Sequence, residues 1–244
     1  MTVAALTRQL GPVAIHARTC DDAIGEILTA LYRRRPLQVA FANTHLLYCA
    51  LQDKAFADHL QRFYVLNDGV GVSLLSRLHC GVGFPENLNG TDFSPRLLSA
   101  LPAGATVYFI GARPAVVREA AARARQLWPL LNICAARNGY DQLEVGIEEV
   151  AWLKPDITFV ALGNPLQEQW IARCSPRAGG GVFVGVGAFF DFLAGAAPRA
   201  PRLWQAARLE WLYRLLHEPS RLWRRYTVEI AVVFMALWRR RRAQ

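Results

Sequence analysis

The sequence predicts a doubly wound, Rossmann-like α/β fold, in which a mostly parallel sheet is covered by helices on both faces. Three observations predict it. Several short runs are apolar throughout rather than alternating, as strands buried on both faces are. Each run is followed by a segment with apolar residues at helical spacing. Gly, Asn, Asp and Thr gather where the apolar runs stop, at the edge where such sheets bind ligands. With 244 residues and 53% apolar content, the chain is long enough to bury a core of this kind.

The elements follow in order. "LQVAFAN" (37–43) reads as a buried strand and "THLLYCALQDKAFADHLQRF" as one helix; "YVLND" is a second strand and "GVGVSLLSRLH" its helix. "TVYFIG" leads into "RPAVVREAAARARQLW", where Pro114 suits a first helical turn. "NICAARNGY" precedes the helical "EVGIEEVAWLK", "DITFVALG" precedes "PLQEQWIARC", and "GVFVGVG" precedes "AFFDFLAG". No internal repeat or low-complexity segment interrupts this rhythm before the arginine-rich end. Residues 1–197 are therefore expected to form the α/β domain and 198–244 a helical appendage.

The net charge of +9 is concentrated in that appendage. From Arg199 onward there are eleven Arg and three Glu, against 17 Lys and Arg and 16 Asp and Glu before it. Four of the seven tryptophans (Trp204, Trp211, Trp223, Trp238) lie there too. Arginine with tryptophan suits an anionic, partly apolar surface. A nucleic-acid partner is the competing reading of a basic tail. The nearly neutral remainder and the helical period of Leu209, Leu212, Leu216 and Leu222 favour lipid. Ile230 to Trp238, followed by Arg239–Arg242, falls short of the roughly 20 apolar residues that span a bilayer. It reads as an interfacial anchor on an anionic membrane.

Five scattered cysteines without a CxxC pair predict neither a disulfide framework nor a zinc site. The N-terminus lacks a signal-peptide pattern, so the chain is expected to stay inside the cell. Gly69 and Gly71 start a GxGxxG, but Leu74 stands at its third glycine, and no Walker motif occurs. Asp21-Asp22 is not a DxD arrangement, and the five histidines have no paired ligand spacing, so no metal is expected.

In a doubly wound sheet the ligand crevice lies beyond the carboxyl ends of the strands. The polar clusters that fall there are Asn43 and Thr44, Asn67 and Asp68, Gly111 and Arg113, Asn138 to Asp141, Gly163 to Gln167, and Gly187 to Asp191. Each is also what a strand-to-helix turn or helix cap needs. Six together predict a site at this edge.

The motifs "NDGVGV", "NGTDF", "VYFIGARP", "ALGNPLQEQWIAR", "GVGAFFDFLAG" and "RAPRLWQAARLEWLYRLLHEPSRLWRRY" resemble, in order and spacing, the WecG/TagA/CpsF proteins, glycosyltransferase family 26, over roughly residues 13–226. The resemblance implies an inverting enzyme that moves a sugar from UDP to an undecaprenyl-diphosphate-linked saccharide at the cytoplasmic face of the membrane, for surface polysaccharide. It implies no metal and no cofactor beyond the UDP-sugar donor, and self-association into a homo-oligomer. Asp68 matches the family's catalytic base, and Thr44 a position beside the base and donor sugar. Asn43 is expected to bond sugar hydroxyls, and Gln167 matches the glutamine of a G-x-P-K-Q-E motif whose next residue is Glu168. Gly111, Asn164, Gly187 and Asp191, from the strand-end clusters, complete the expected substrate-binding set. Arg214, Arg221 and Arg224, at i, i+7 and i+10, resemble the basic residues that meet the lipid diphosphate. Two positions depart from the pattern: Leu166 replaces the motif's lysine, and Asn87 stands where many relatives carry arginine. These departures lean the donor towards glucose and exopolysaccharide assembly of the xanthan type. A catalytically inactive UDP-binding homologue is the alternative within the fold.

Overall fold

The computed structural model describes residues 7–197, 199–201, 203–204, 210–217 and 219–242, except for the side chains at 214, 217, 221 and 240–242. Eight strands form one sheet: β1 (Thr7–Leu10), β2 (Val13–His16), β3 (Leu37–Ala42), β4 (Tyr64–Asn67), β5 (Thr106–Gly111), β6 (Asn132–Arg137), β7 (Ile157–Ala161) and β8 (Val182–Gly185). Their order is β1-β2-β4-β3-β8-β7-β5-β6. Every pairing is parallel except β1 with β2, a hairpin at one edge.

The apolar runs predicted as strands form strands, because successive side chains point to opposite faces and both faces are covered. In β5, Val107 and Phe109 enter one core while Tyr108 and Ile110 enter the other. The first core is roofed by α1 (Cys20–Tyr32), α5 (Gly90–Ala100), α6 (Pro114–Leu127) and α9 (Phe189–Leu193). The second is roofed by α2 (Thr44–Gln52), α3 (Lys54–Leu60), α4 (Val70–Cys80), α7 (Leu143–Leu153) and α8 (Leu166–Ala178). The doubly wound fold is thus as expected. One long predicted helix is two, because Asp53 ends α2 and its side chain accepts from Phe56 N at 3.1 Å to start α3. The N-terminal hairpin, α1 and α5 lie outside the predicted alternation.

The tail continues as α10 (Glu210–His217) and α11 (Pro219–Arg224), then through a π-helical turn (Arg225–Glu229) into α12 (Ile230–Arg242). Helix α12 lies along α2 and α4. Its Val233 and Leu237 are buried in the second core beside Leu10, Leu46 and Leu47, and Leu222 of α11 is buried as well. The apolar run expected to be an anchor therefore has two sides. One docks on the α/β core, while Phe234, Met235 and Trp238, with Trp223 and Val228 before them, stay exposed. Among the described residues, no helix is long and apolar enough to cross a membrane.

Candidate active site

Strands β3 and β8 are neighbours, yet the chain leaves β3 into α2 on one face and β8 into α9 on the other. This divergence opens a crevice at the carboxyl ends of the strands, the switch point of a doubly wound sheet. The loops after β3, β4, β7 and β8 meet around it.

Asp68 is the first residue after β4, and its backbone N–H donates to Ala42 O of β3 at 2.8 Å, so this half-buried residue stands at the carboxyl ends of the strands. Gly69 follows with φ +89°, a left-handed turn that favours glycine and lets α4 start at once. Its N–H donates to Asn87 Oδ1 at 2.6 Å, so the Asn87 departure has a structural task, bracing the loop that carries Asp68. A Cβ on Gly71 would lie 3.0 Å from Thr44 Cγ2, so the first turn of α4, which follows Asp68 and Gly69, sits directly on Thr44.

The other wall is a chain of side-chain amides. Asn43 caps α2, its Oδ1 accepting from Leu46 N at 3.0 Å, and its Nδ2 donates to Asn164 Oδ1 at 3.1 Å. Asn164 Nδ2 donates to Glu168 Oε1 at 2.7 Å, and Gln167 Nε2 donates to the same oxygen at 2.8 Å. Gln167 Oε1 accepts from Gly187 N at 3.0 Å. Asn43, Asn164, Gln167 and Gly187, 144 residues apart at the extremes, are thereby one network. Gln167 is only 2% exposed and engaged at both ends, so it holds the loop after β8 in place. Glu168 is fully buried, its Oε2 makes no hydrogen bond, and burial pushes its carboxyl up to about 7 against the pull of the Gln167 and Asn164 donors. Leu166, two residues before Glu168, is exposed, so the lysine it replaces would have pointed outward from the same helix start.

Two further predicted residues have backbone tasks. Gly111 ends β5, with φ +125°, and a Cβ there would overlap Ala161 O of β7; its task is a close backbone crossing. Asp191 lies in α9, and its carbonyl accepts from Ala196 N and Ala197 N at 2.8 and 3.1 Å, closing the turn that ends this helix. Phe189 and Phe190 beside it are core residues, packed on Phe159 and Phe109. The Asn138 cluster folds on itself, since Asn138 Oδ1 accepts from Tyr140 N and Asp141 N. Arg224 is exposed on α11; the side chains of Arg214 and Arg221 lie outside the described residues, as do Leu209 and the side chains of Arg240–Arg242.

The tail reaches the site through a pair that sequence reasoning missed. Glu229, buried in the π-helical turn, lies 2.6 Å by Oε2 from Nδ1 of His45, the residue after Thr44. His45 Nε2 is 3.8 Å from Cys49 Sγ, and burial with the Glu229 charge pushes that thiol up to about 11. A lone carboxylate within an apolar helical segment was the available signal. Among the described residues, no group of three His, Cys, Asp and Glu side chains converges to hold a metal.

Fold and site define a class: a doubly wound α/β protein whose crevice offers one carboxylate, one hydroxyl and a bank of amides, a set suited to hydroxyl-rich substrates. The chain belongs to the Glycosyl transferase WecG/TagA/CpsF family, whose model matches residues 8–244, and is a glycosyltransferase. The match includes α12, beyond the last motif noted in the sequence. The chain is 34% identical over 201 residues to N-acetylglucosaminyldiphosphoundecaprenol N-acetyl-beta-D-mannosaminyltransferase of Bacillus spizizenii, covering 81% of this chain and 77% of that protein.

Proposed function

We propose that this glycosyltransferase moves a hexosyl or N-acetylhexosaminyl group from a UDP-sugar to an undecaprenyl-diphosphate-linked saccharide, with inversion to a β linkage, in surface polysaccharide assembly. The observation that supports the proposal is that, in a chain of this family, Asp68 directly follows β4 and Thr44 opens α2 just after the neighbouring strand β3. The relative's name supports the class of acceptor, a sugar on undecaprenyl diphosphate.

In the proposed step Asp68 takes the proton of an acceptor hydroxyl as its oxygen bonds the anomeric carbon. The bond from that carbon to the UDP oxygen breaks on the opposite side, and UDP leaves with the electron pair. Thr44, Asn43 and Asn164 hold sugar hydroxyls. Helix α4 begins after Gly69 without a side-chain capping bond, and the N–H groups of its first turn are the candidates for diphosphate oxygens without a metal. Arg214, Arg221 and Arg224 complete the site over the lipid diphosphate. The exposed Trp223, Phe234, Met235 and Trp238 beside Arg224 and Arg239 rest on the anionic cytoplasmic face of the membrane. Glucose is the donor that Leu166 and Asn87 favour; N-acetylmannosamine is the sugar in the relative's name.

The test is acceptor-dependent UDP release by the full chain across a panel of UDP-sugars, with undecaprenyl-diphosphate-linked glucose and N-acetylglucosamine. One donor is expected to be used, and Asp68→Asn to lower the rate by about 10²-fold or more while UDP binding persists. A variant as active as the wild type would make Asp68 a turn residue.

A further inference from the structure

Resting on that reading of the crevice, we propose that Glu168 is a positioning residue of the transfer site, whose single oxygen Oε1 decides which way the amides of Asn164, Gln167 and Asn43 face. An amide has a donor end and an acceptor end that differ little in shape, so an acceptor fixed against one end dictates what the other presents. With Asn164 Nδ2 and Gln167 Nε2 both on Oε1, Asn164 turns Oδ1 to Asn43, and Gln167 turns Oε1 to Gly187 N. Asn43 in turn keeps Oδ1 on the Leu46 N–H. Two branches from one oxygen thus reach the loops after β3, β7 and β8. Each amide retains a second N–H, and those of the half-buried Asn43 and Asn164 are the ones placed to donate to substrate. Without the acceptor, either amide is free to rotate and offer a carbonyl oxygen instead.

The surroundings of Glu168 favour its neutral form. It has no exposure, its second oxygen has no donor, and its bonded partners Asn164 and Gln167 are neutral. Glu168 shares the field of Cys49 of α2, a thiol pushed up to about 11, with Glu229 and Arg225 of the tail. An ionised Oε2 would be a buried charge with nothing bonded to it, whereas a neutral carboxyl still offers a carbonyl oxygen to both amides.

Two variants of the full chain test this. Glu168→Gln keeps an acceptor and is always neutral; Glu168→Leu removes the acceptor at similar volume. In ¹⁵N spectra of the wild type, the side-chain NH₂ signals of Asn164 and Gln167, assigned by Asn164→Asp and Gln167→Glu, are expected to titrate together near pH 7, and to stop titrating in Glu168→Gln. With the donor identified by the panel above, Glu168→Gln is expected to stay within about threefold of wild-type kcat/KM at pH 6 and to gain on it as pH rises to 8. A folded Glu168→Leu is expected to raise donor KM by about tenfold or more, the equivalent of one lost hydrogen bond. Amide signals that ignore pH in the wild type, or a folded Glu168→Leu with wild-type KM, would overturn the proposal. A wild type that transfers no sugar would defeat the transferase reading alone, since the amide titration needs neither donor nor acceptor.

Discussion

Truncation of Leu237 to alanine tests how the tail is held. Among the described residues, Leu237 and Val233 are the α12 side chains buried in the second core with Leu10, Leu46 and Leu47, and Glu229 of the His45–Glu229 pair sits two and one turns back along the tail. Burying a Val or Leu side chain contributes about 1.5–3 kcal/mol, so the two together supply about 3–6 kcal/mol of docking. Leu→Ala at a buried site costs about 2–5 kcal/mol, of the same order as that whole. Undocking of α12 should therefore become about 30-fold or more easier in Leu237→Ala, while the sheet remains intact. Hydrogen exchange measures this directly: amides of residues 230–242 should lose protection by that factor, with those of β7 and β8 unchanged. Unchanged protection in α12 would refute the assignment of docking to these contacts. Equal loss across the whole chain would show that the tail unfolds only with the core.

Three further outcomes are expected. The Glu168 carboxyl, pushed up to about 7 from an ordinary 4.5, makes the folded state bind more protons than the unfolded between those values. Stability fully present below about pH 4.5 is then lost as pH rises through 7, by about 3 kcal/mol, so thermal melts of Glu168→Gln should gain on the wild type from pH 5.5 to 8; parallel curves would contradict this. A double-mutant cycle with His45→Ala and Glu229→Gln should show a coupling of about 1 kcal/mol or more by denaturant melts, and zero would mean the pair is incidental. Gly111→Ala, which puts a methyl into Ala161 O at a positive φ, should cost about 3 kcal/mol or more, and a melting temperature within a degree of the wild type would reject the close-crossing reading.

Much of the fold was legible because strands buried on both faces leave unbroken apolar runs, as in "LQVAFA" and "TVYFIG". The break at Asp53 was not, because the apolar spacing of α2 continues into α3 and only the capping bond to Phe56 N marks the boundary. The β1–β2 hairpin, two strands of four residues each, is too short to show a period. At the site, Asp68 was legible as a carboxylate where an apolar run stops. Glu168 was legible as the residue after Gln167 in the G-x-P-K-Q-E motif, but its burial was not, because that comes from the first turn of α8 meeting the loops after β3 and β8.

By itself, then, the sequence determined the alternation of strands and helices, the edge at which polar residues gather, and the family. These follow from local period and from motifs whose residues are near neighbours in the chain. The tertiary structure alone decided which of those residues meet. The bonds from Asn43 to Asn164 and from His45 to Glu229 join positions 121 and 184 residues apart. No local pattern records such a contact, because it arises from the order in which the strands are laid into the sheet and from the packing of α12 against α2.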